Sequence, residues 1–300
     1  MDTPGQLMKP NLARAIIKTM RPKQWTKNVV VFAALVFDRQ LTNIPAMLHT
    51  LGGFVVFCLI SSMVYFINDL VDIEADRLHP EKKHRPIASG LMPIPLAYAI
   101  IVLLFFISFP AAYYLSPQFA VIGFAYFILN LLYSFWLKHI PLVDIMVIAA
   151  GFVLRIAGGV MLISVDRFSP WLYVVTTLLA LYLGFGKRRA ELALLAGEAY
   201  SHRKVLDGYT IPLLDQLITV VSSTTVIAYS LYTFSAPNLP DNHSMMLTIP
   251  FALYGIFRYL YLIQVKNHGG APEDMLFKDR PLQLAIILWG ISVLLIFYIF

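Results

Sequence analysis

The stretch NDLVDIEADRLHPEKKHRPIASG, residues 68–90, sets Asn68, Asp69, Asp72 and Asp76 just beyond a long apolar run. On an α-helix of 3.6 residues per turn these four fall at roughly 0°, 100°, 40° and 80°, so they crowd one face over about two turns. Carboxylates stacked in this way repel one another unless a cation neutralises them. Hard oxygen ligands with room left for water and phosphate suit Mg²⁺, which usually takes a few carboxylates together with substrate phosphates. Asn68, Asp72 and Asp76 are therefore expected to hold the metal, helped by Asp69, with Asp69, Asp72 and Asp76 as the catalytic carboxylates. The plainer alternative is a solvated helix end whose acids pair with Arg77, Lys82 and Lys83. Glu74 points to another face and reads as solvated charge.

Pro80 and Pro86 stop the helix and shape a loop that returns Lys82, Lys83, His84 and Arg85 beside the acidic face. Acids for a metal followed by bases for phosphate suit a phosphorylated substrate. Arg85 is the stronger phosphate candidate, because its planar fork allows bidentate contacts. The two lysines serve equally well as charge on the inner membrane face. Further candidates lie far off in sequence. Lys23 and Lys27 are four apart and share a face if that segment is an α-helix, with Asn28 beside them. Membrane-surface lysines that snorkel explain them as well, and Trp25 reads as an interfacial anchor. Lys187, Arg188 and Glu191 sit in GKRRAEL, residues 186–192, and Tyr209 in DGYT, where it either contacts substrate or is structural. Arg155 is deep in an apolar run and too costly to face lipid, so it faces the interior. There it binds phosphate or pairs with Asp144 or a buried carbonyl. Arg258 is a weaker version of the same case. His79 and His84 lack the H-x-x-x-H or cysteine partners of a zinc site.

The elements that must carry these groups follow from composition. Apolar residues make up 59% of the 300-residue chain and charged residues 13%, against about a quarter charged in soluble domains. Mean hydropathy is +0.72. A soluble enzyme is excluded; the chain reads as an all-α, polytopic membrane protein. Cys58 is the only cysteine, so neither an intrachain disulfide nor C-x-x-C chemistry is available. Residues 1–27 hold no signal-peptide core and read as an amphipathic arm on the membrane surface. Residues 28–300 form a single domain. With about 20 apolar residues needed per crossing, nine spans are expected, near 28–46, 48–68, 93–115, 117–137, 141–164, 170–186, 213–235, 245–265 and 281–300. Of the 23 Lys and Arg residues, Arg39 and Arg167 fall on one side, and Arg155 and Arg258 inside spans. The rest gather on the side of the amino terminus, which the positive-inside tendency places in the cytoplasm, with the carboxyl terminus outside. No feature points to nucleic acid.

N-D-x-x-D-x-x-x-D at the charged end of the second of nine helices resembles the UbiA-type intramembrane prenyltransferase superfamily, and the resemblance in topology spans essentially the whole chain. It implies a UbiA-like helical bundle with cytoplasmic active-site loops, Mg²⁺ as cofactor and a polyprenyl substrate. Members of that superfamily usually carry a second aspartate-rich motif between helices six and seven. Here residues 182–210 have no D-x-x-x-D; Lys187, Arg188 and Arg189 stand in its place.

That departure resembles the decaprenyl-phosphate phosphoribosyltransferase branch, as do RPKQWTKN (21–28), NDLVDIEADRLHPEKKHRPIASG, GKRRAEL, FRYLYLI (257–263) and APEDMLFKDRPLQ (271–283). The branch implies transfer of 5-phosphoribose from phosphoribosyl pyrophosphate to a polyprenyl phosphate in a bacterial cytoplasmic membrane, for cell-envelope arabinan or sugar-donor synthesis, by a homotrimer. The charges agree independently. Phosphoribosyl pyrophosphate carries a diphosphate and a separate 5-phosphate, and the acceptor lipid adds a third anion. One acidic face plus dispersed basic groups fits that pair better than two acidic faces do. The rival readings are a prenyltransferase using a prenyl diphosphate, and a transporter or lipid-binding protein.

Overall fold

The structure is a computed structural model that describes residues 12–165, 169–195, 204–236, 239–266, 275 and 278–299. Every regular element among them is helical. The main α-helices are α1 (Leu12–Met20), α2 (Ala33–Phe37), α3 (Ile44–Val71), α4 (Ile73–Leu78), α5 (Ile94–Leu115), α6 (Pro117–Phe135), α7 (Val143–Val160), α8 (Pro170–Leu195), α9 (Ile211–Ser235), α10 (Ile249–Gln264) and α11 (Arg280–Tyr298).

The polar breaks between apolar runs also start the helices. Asn43, Ser116, Thr210 and Asp279 each cap a helix by accepting a backbone N–H three residues on. Each is followed within two positions by proline, whose fixed φ and missing N–H suit a first turn.

Among the described residues seven helical segments are long and apolar enough to cross a membrane: Ile44–Val71, Ile94–Leu115, Pro117–Phe135, Val143–Val160, Ile211–Ser235, Ser244–Gln264 and Arg280–Tyr298. The first expected span is instead broken, with a 3₁₀ stretch Pro22–Phe32 leading into α2. The sixth corresponds to α8, whose 26 residues extend past residue 186 into GKRRAEL. At 1.5 Å per residue α8 is roughly 39 Å long. Arg167, used above in the charge asymmetry, lies outside the described residues.

The described part of the expected arm packs against α3 through α1, burying Ala15 and Thr19. Phe57, Ile60, Met63 and Phe66 of α3 form one core with Phe119 and Tyr126 of α6. Tyr182, Leu214, Ile218, Tyr259 and Ile263 form a second among α8, α9 and α10. The 3₁₀ stretch presses on α7 so closely that a Cβ on Gly159 would lie 2.1 Å from the Val31 carbonyl oxygen. Between this first segment and α7–α11 lies an apolar cavity of about 420 Å³, lined by residues including Val30, Phe37, Ile156, Tyr182, Tyr259 and Trp289.

Candidate active site at the charged end of α3

At Asp72 (φ −93°, ψ 10°) the backbone leaves ideal helix geometry. The ladder nevertheless continues, from Asp72 N–H to Asn68 O at 2.9 Å and from Asp76 N–H to Asp72 O at 2.8 Å. The acidic residues therefore stay within two turns of one another, and each of the three carboxylates meets a cation. Arg85 Nη1 reaches Asp69 Oδ1 at 3.1 Å and Asp76 Oδ2 at 2.6 Å. Arg21 Nη2 binds the same oxygen of Asp69. Lys138 Nζ binds Asp72 Oδ1. Asp69 and Asp76 are 2% exposed, whereas the Asp72 side chain is 29% exposed.

A compact turn returns Arg85 to the acids. Ser89 N–H bonds the Arg85 carbonyl at 2.9 Å, Met92 N–H bonds that of Pro86 at 2.9 Å, and Gly90 supplies φ 77°. His79 Nδ1 accepts from the N–H groups of Glu81 and Lys82 at 3.2 and 3.3 Å. Burial first, and the neighbouring Lys82 charge second, lower its pKa. Lys82 and Lys83 are exposed. The loop thus brings Arg85 directly onto the acidic face, where it binds carboxylates.

Asn28 and Arg155, distant in sequence, meet. Arg155 Nε donates to Asn28 Oδ1 at 2.7 Å, Nη1 to the Gly151 carbonyl at 2.9 Å and Nη2 to Tyr126 Oη at 2.7 Å. These partners are all neutral, and the guanidinium also lies 4.7 Å from the Tyr126 ring centroid. Of the expected alternatives a carbonyl is the partner, while Asp144 is taken by another arginine. Asn28 in turn donates to Cys58 and Ser61 of α3 at 3.3 and 3.2 Å. A 3₁₀ helix repeats every three residues, which aligns Trp25, Asn28 and Val31. Trp25 Nε1 bonds Ser62 at 3.0 Å, so this tryptophan ties the segment to α3. The same period sets Lys23 and Lys27 about 120° apart rather than on one face, with Lys23 exposed and Lys27 half-buried.

In GKRRAEL, Arg188 is buried between Asp144 Oδ2, 2.7 Å from Nε, and Glu191. Tyr209 Oη donates to Asp144 Oδ1 at 2.6 Å and accepts the Leu142 N–H at 2.6 Å. Arg189 binds Asp215 and the Ile263 carbonyl, and Lys187 is half-buried. Arg258 forms a two-pronged pair with Asp279 at 3.1 and 2.8 Å, which ties α10 to the cap of α11.

Two participants escaped the sequence reading, and a third, Asp144, was weighed only as a partner for Arg155. Arg21 was visible as the first residue of RPKQWTKN, and its left-handed backbone (φ 54°) turns it toward Asp69. Lys138 was visible as the lone base of its connection. Asp144 was visible as an acid at the start of an apolar helix. Nothing in the sequence showed which acid each base would find.

The donor set fits Mg²⁺. Asn68 is half-buried, and its side chain makes no hydrogen bond among the described residues. Asp72, one turn on, is the most open carboxylate of the three. Among the described residues no group of three or more His, Cys, Asp and Glu converges, so an ion held at Asn68 and Asp72 would have to complete its shell with substrate phosphate and water.

The sequence profile of the UbiA prenyltransferase family matches residues 29–278. The decaprenyl-phosphate phosphoribosyltransferase of Mycobacterium tuberculosis is 36% identical over 284 residues, covering 93% of each chain. That of Corynebacterium glutamicum is 34% identical over 297 residues, covering 96% of this chain and 88% of the relative. Among solved structures, a UbiA homolog from Archaeoglobus fulgidus bound to DMAPP and Mg²⁺ superposes with TM-score 0.72 at 17% identity, over 95% of this chain and 99% of that one.

Proposed function

This chain belongs to the UbiA prenyltransferase family, and we propose that it transfers 5-phosphoribose from phosphoribosyl pyrophosphate to a polyprenyl phosphate of decaprenyl type, releasing pyrophosphate. The observation that carries this reading is Arg188, buried beside Asp144 and Glu191 where a second aspartate-rich motif would serve a prenyl diphosphate. The names of the relatives at 34–36% identity support the same donor and acceptor.

Asn68 and Asp72, with Asp76 one turn on, would hold Mg²⁺. When bound, the ion stabilises negative charge on the departing pyrophosphate. Asp69 fixes Arg21 and Arg85 at the rim of the acidic face. Lys138 and Arg188 meet the donor's phosphates, joined by Lys23, Lys27, Lys82, Lys83 and Lys187. An oxygen of the lipid phosphate attacks the anomeric carbon as the bond from that carbon to the pyrophosphate oxygen breaks. The nucleophile is already ionised, so no residue is assigned as a base. Arg155, Asn28 and Tyr126 form a polar floor beneath the site.

The prenyl tail enters the apolar cavity. A roughly 150 Å³ apolar cavity takes one benzene ring, so about 420 Å³ takes about three isoprene units, and the rest of the tail lies in the bilayer. The amino terminus and charged loops face the cytoplasm of a bacterial cell, the product feeds cell-envelope sugar-donor synthesis, and the assembly is a homotrimer. Mass measurement in detergent tests that last element.

Purified protein given Mg²⁺, polyprenyl phosphate and labelled phosphoribosyl pyrophosphate should form a labelled lipid. No labelled lipid, with prenyl transfer from a prenyl diphosphate instead, would replace this reading with that of a prenyltransferase.

A further inference from the structure

Two bases meet acids at opposite ends of one short path. Lys138, buried in the turn after α6, binds Asp72, and Arg188 on α8 binds Asp144 and Glu191. Between them lies Leu142, a non-glycine residue at φ 67°, ψ −46°. Strained backbone of this kind persists only where its surroundings over-determine it. Here Tyr209 supplies the restraint, since its hydroxyl accepts the Leu142 N–H at 2.6 Å and donates to Asp144 Oδ1 at 2.6 Å. A phenol has one proton to donate, and Asp144 takes it, so Tyr209 has none to offer a substrate. Burial, and then the Asp144 carboxylate, raise its pKa and keep it neutral. Next to it, Gly208 packs so tightly that a Cβ there would lie 2.3 Å from Pro141 Cγ. Residues 208 and 209 thus bear on the two residues that end the Lys138 turn.

We propose that Tyr209 is a positioning residue whose hydroxyl ties the Lys138 turn to the Asp144–Arg188 pair and so holds both bases in register for the donor's phosphates. The inference rests on the function above, in which Lys138 and Arg188 meet those phosphates. Without the hydroxyl, Leu142 N–H loses its partner and the Asp144 carboxylate loses its link to that N–H, while the ring keeps its packing.

The test is Tyr209→Phe, assayed with the donor and acceptor varied separately, together with thermal-shift titration by Mg²⁺ and inorganic pyrophosphate. The donor KM should rise about tenfold and pyrophosphate affinity fall about tenfold, with kcat within about threefold and acceptor KM unchanged, the signature of lost uniform binding. Gly208→Ala, pushing on Pro141, should reproduce that split; if it fails to fold, Tyr209→Phe decides alone. Unchanged donor KM and pyrophosphate affinity in Tyr209→Phe would overturn the proposal. So would a parallel loss of kcat and both affinities with a lowered thermal midpoint, which marks a purely structural role. Pyrophosphate also leaves in prenyl transfer, so its binding tests the positioning even if the wild type transfers no phosphoribose. That second outcome would sink the function instead.

Discussion

Lys138 Nζ binds Asp72 Oδ1 across 66 positions of sequence, joining the α6–α7 connection to the charged end of α3. Lys138 is buried while its partner keeps an open side, so the ammonium lies against the carboxylate proposed above to hold the metal. Lys138→Gln should lower kcat/KM for the donor about 10²-fold, a loss of about 2.7 kcal/mol, on the scale of one preorganised electrostatic contact. Lys138→Arg should recover part of it. Kinetics with the donor varied check this, and an unchanged kcat/KM in the glutamine variant refutes it.

Arg155 contributes differently, because its side-chain hydrogen-bond partners are Asn28, the Gly151 carbonyl and Tyr126, none of them charged. Arg155→Met takes that partner from two buried side chains, Asn28 and Tyr126, at about 1–3 kcal/mol each when left unsatisfied. The thermal midpoint in detergent should fall by several degrees. A midpoint equal to the wild type's would mean that this floor is not holding the 3₁₀ segment against α7.

Helix starts and apolar runs were legible in the sequence because caps, prolines and hydropathy are local signals. The acidic face was legible too, since its four residues lie within nine consecutive positions and the backbone ladder runs on through Asp72. Contacts between distant segments were not. Lys23 and Lys27 would share a face on an α-helix, but the 3₁₀ stretch changes the period from 3.6 to 3. Arg85 read as a phosphate ligand from its chemistry alone, yet its nearest anions are Asp69 and Asp76. Pairing among bases and acids depends on which helices pack together, and no local pattern encodes that.

Asp279 has its pKa lowered, first by its hydrogen bond from Arg258. A depressed carboxylate pKa means the stabilisation is fully present above the unfolded value of about 3.9 and is lost as pH falls through the lower folded value. Asp279→Asn keeps the cap of α11 but removes this titration. Its unfolding midpoint should vary less below about pH 4 than the wild type's, with transfer activity at neutral pH unchanged. Equal acid sensitivity of the two proteins, followed by thermal melts across pH, would show that the pair does not contribute.

The sharpest contrast lies within the acidic face itself. Asp72 is its open carboxylate, and Asp69 is a closed one that receives both Arg21 and Arg85. If Asp72 holds Mg²⁺ on the donor, Asp72→Asn should cut turnover at least 10²-fold, about 2.7 kcal/mol or more, while leaving the midpoint within a few degrees. Asp69→Asn removes the anion shared by two guanidiniums that are themselves about a quarter exposed. Water relieves part of that loss, so the expected cost is about 2 kcal/mol rather than the larger penalty of a fully buried pair. Its midpoint should therefore fall, and its activity should follow the amount of folded protein. Turnover at varied Mg²⁺ together with thermal melts separates the two. A stable Asp72→Asn protein with near wild-type turnover would remove the metal from this residue, and an Asp69→Asn protein that melts normally but is inactive would place the chemistry at Asp69.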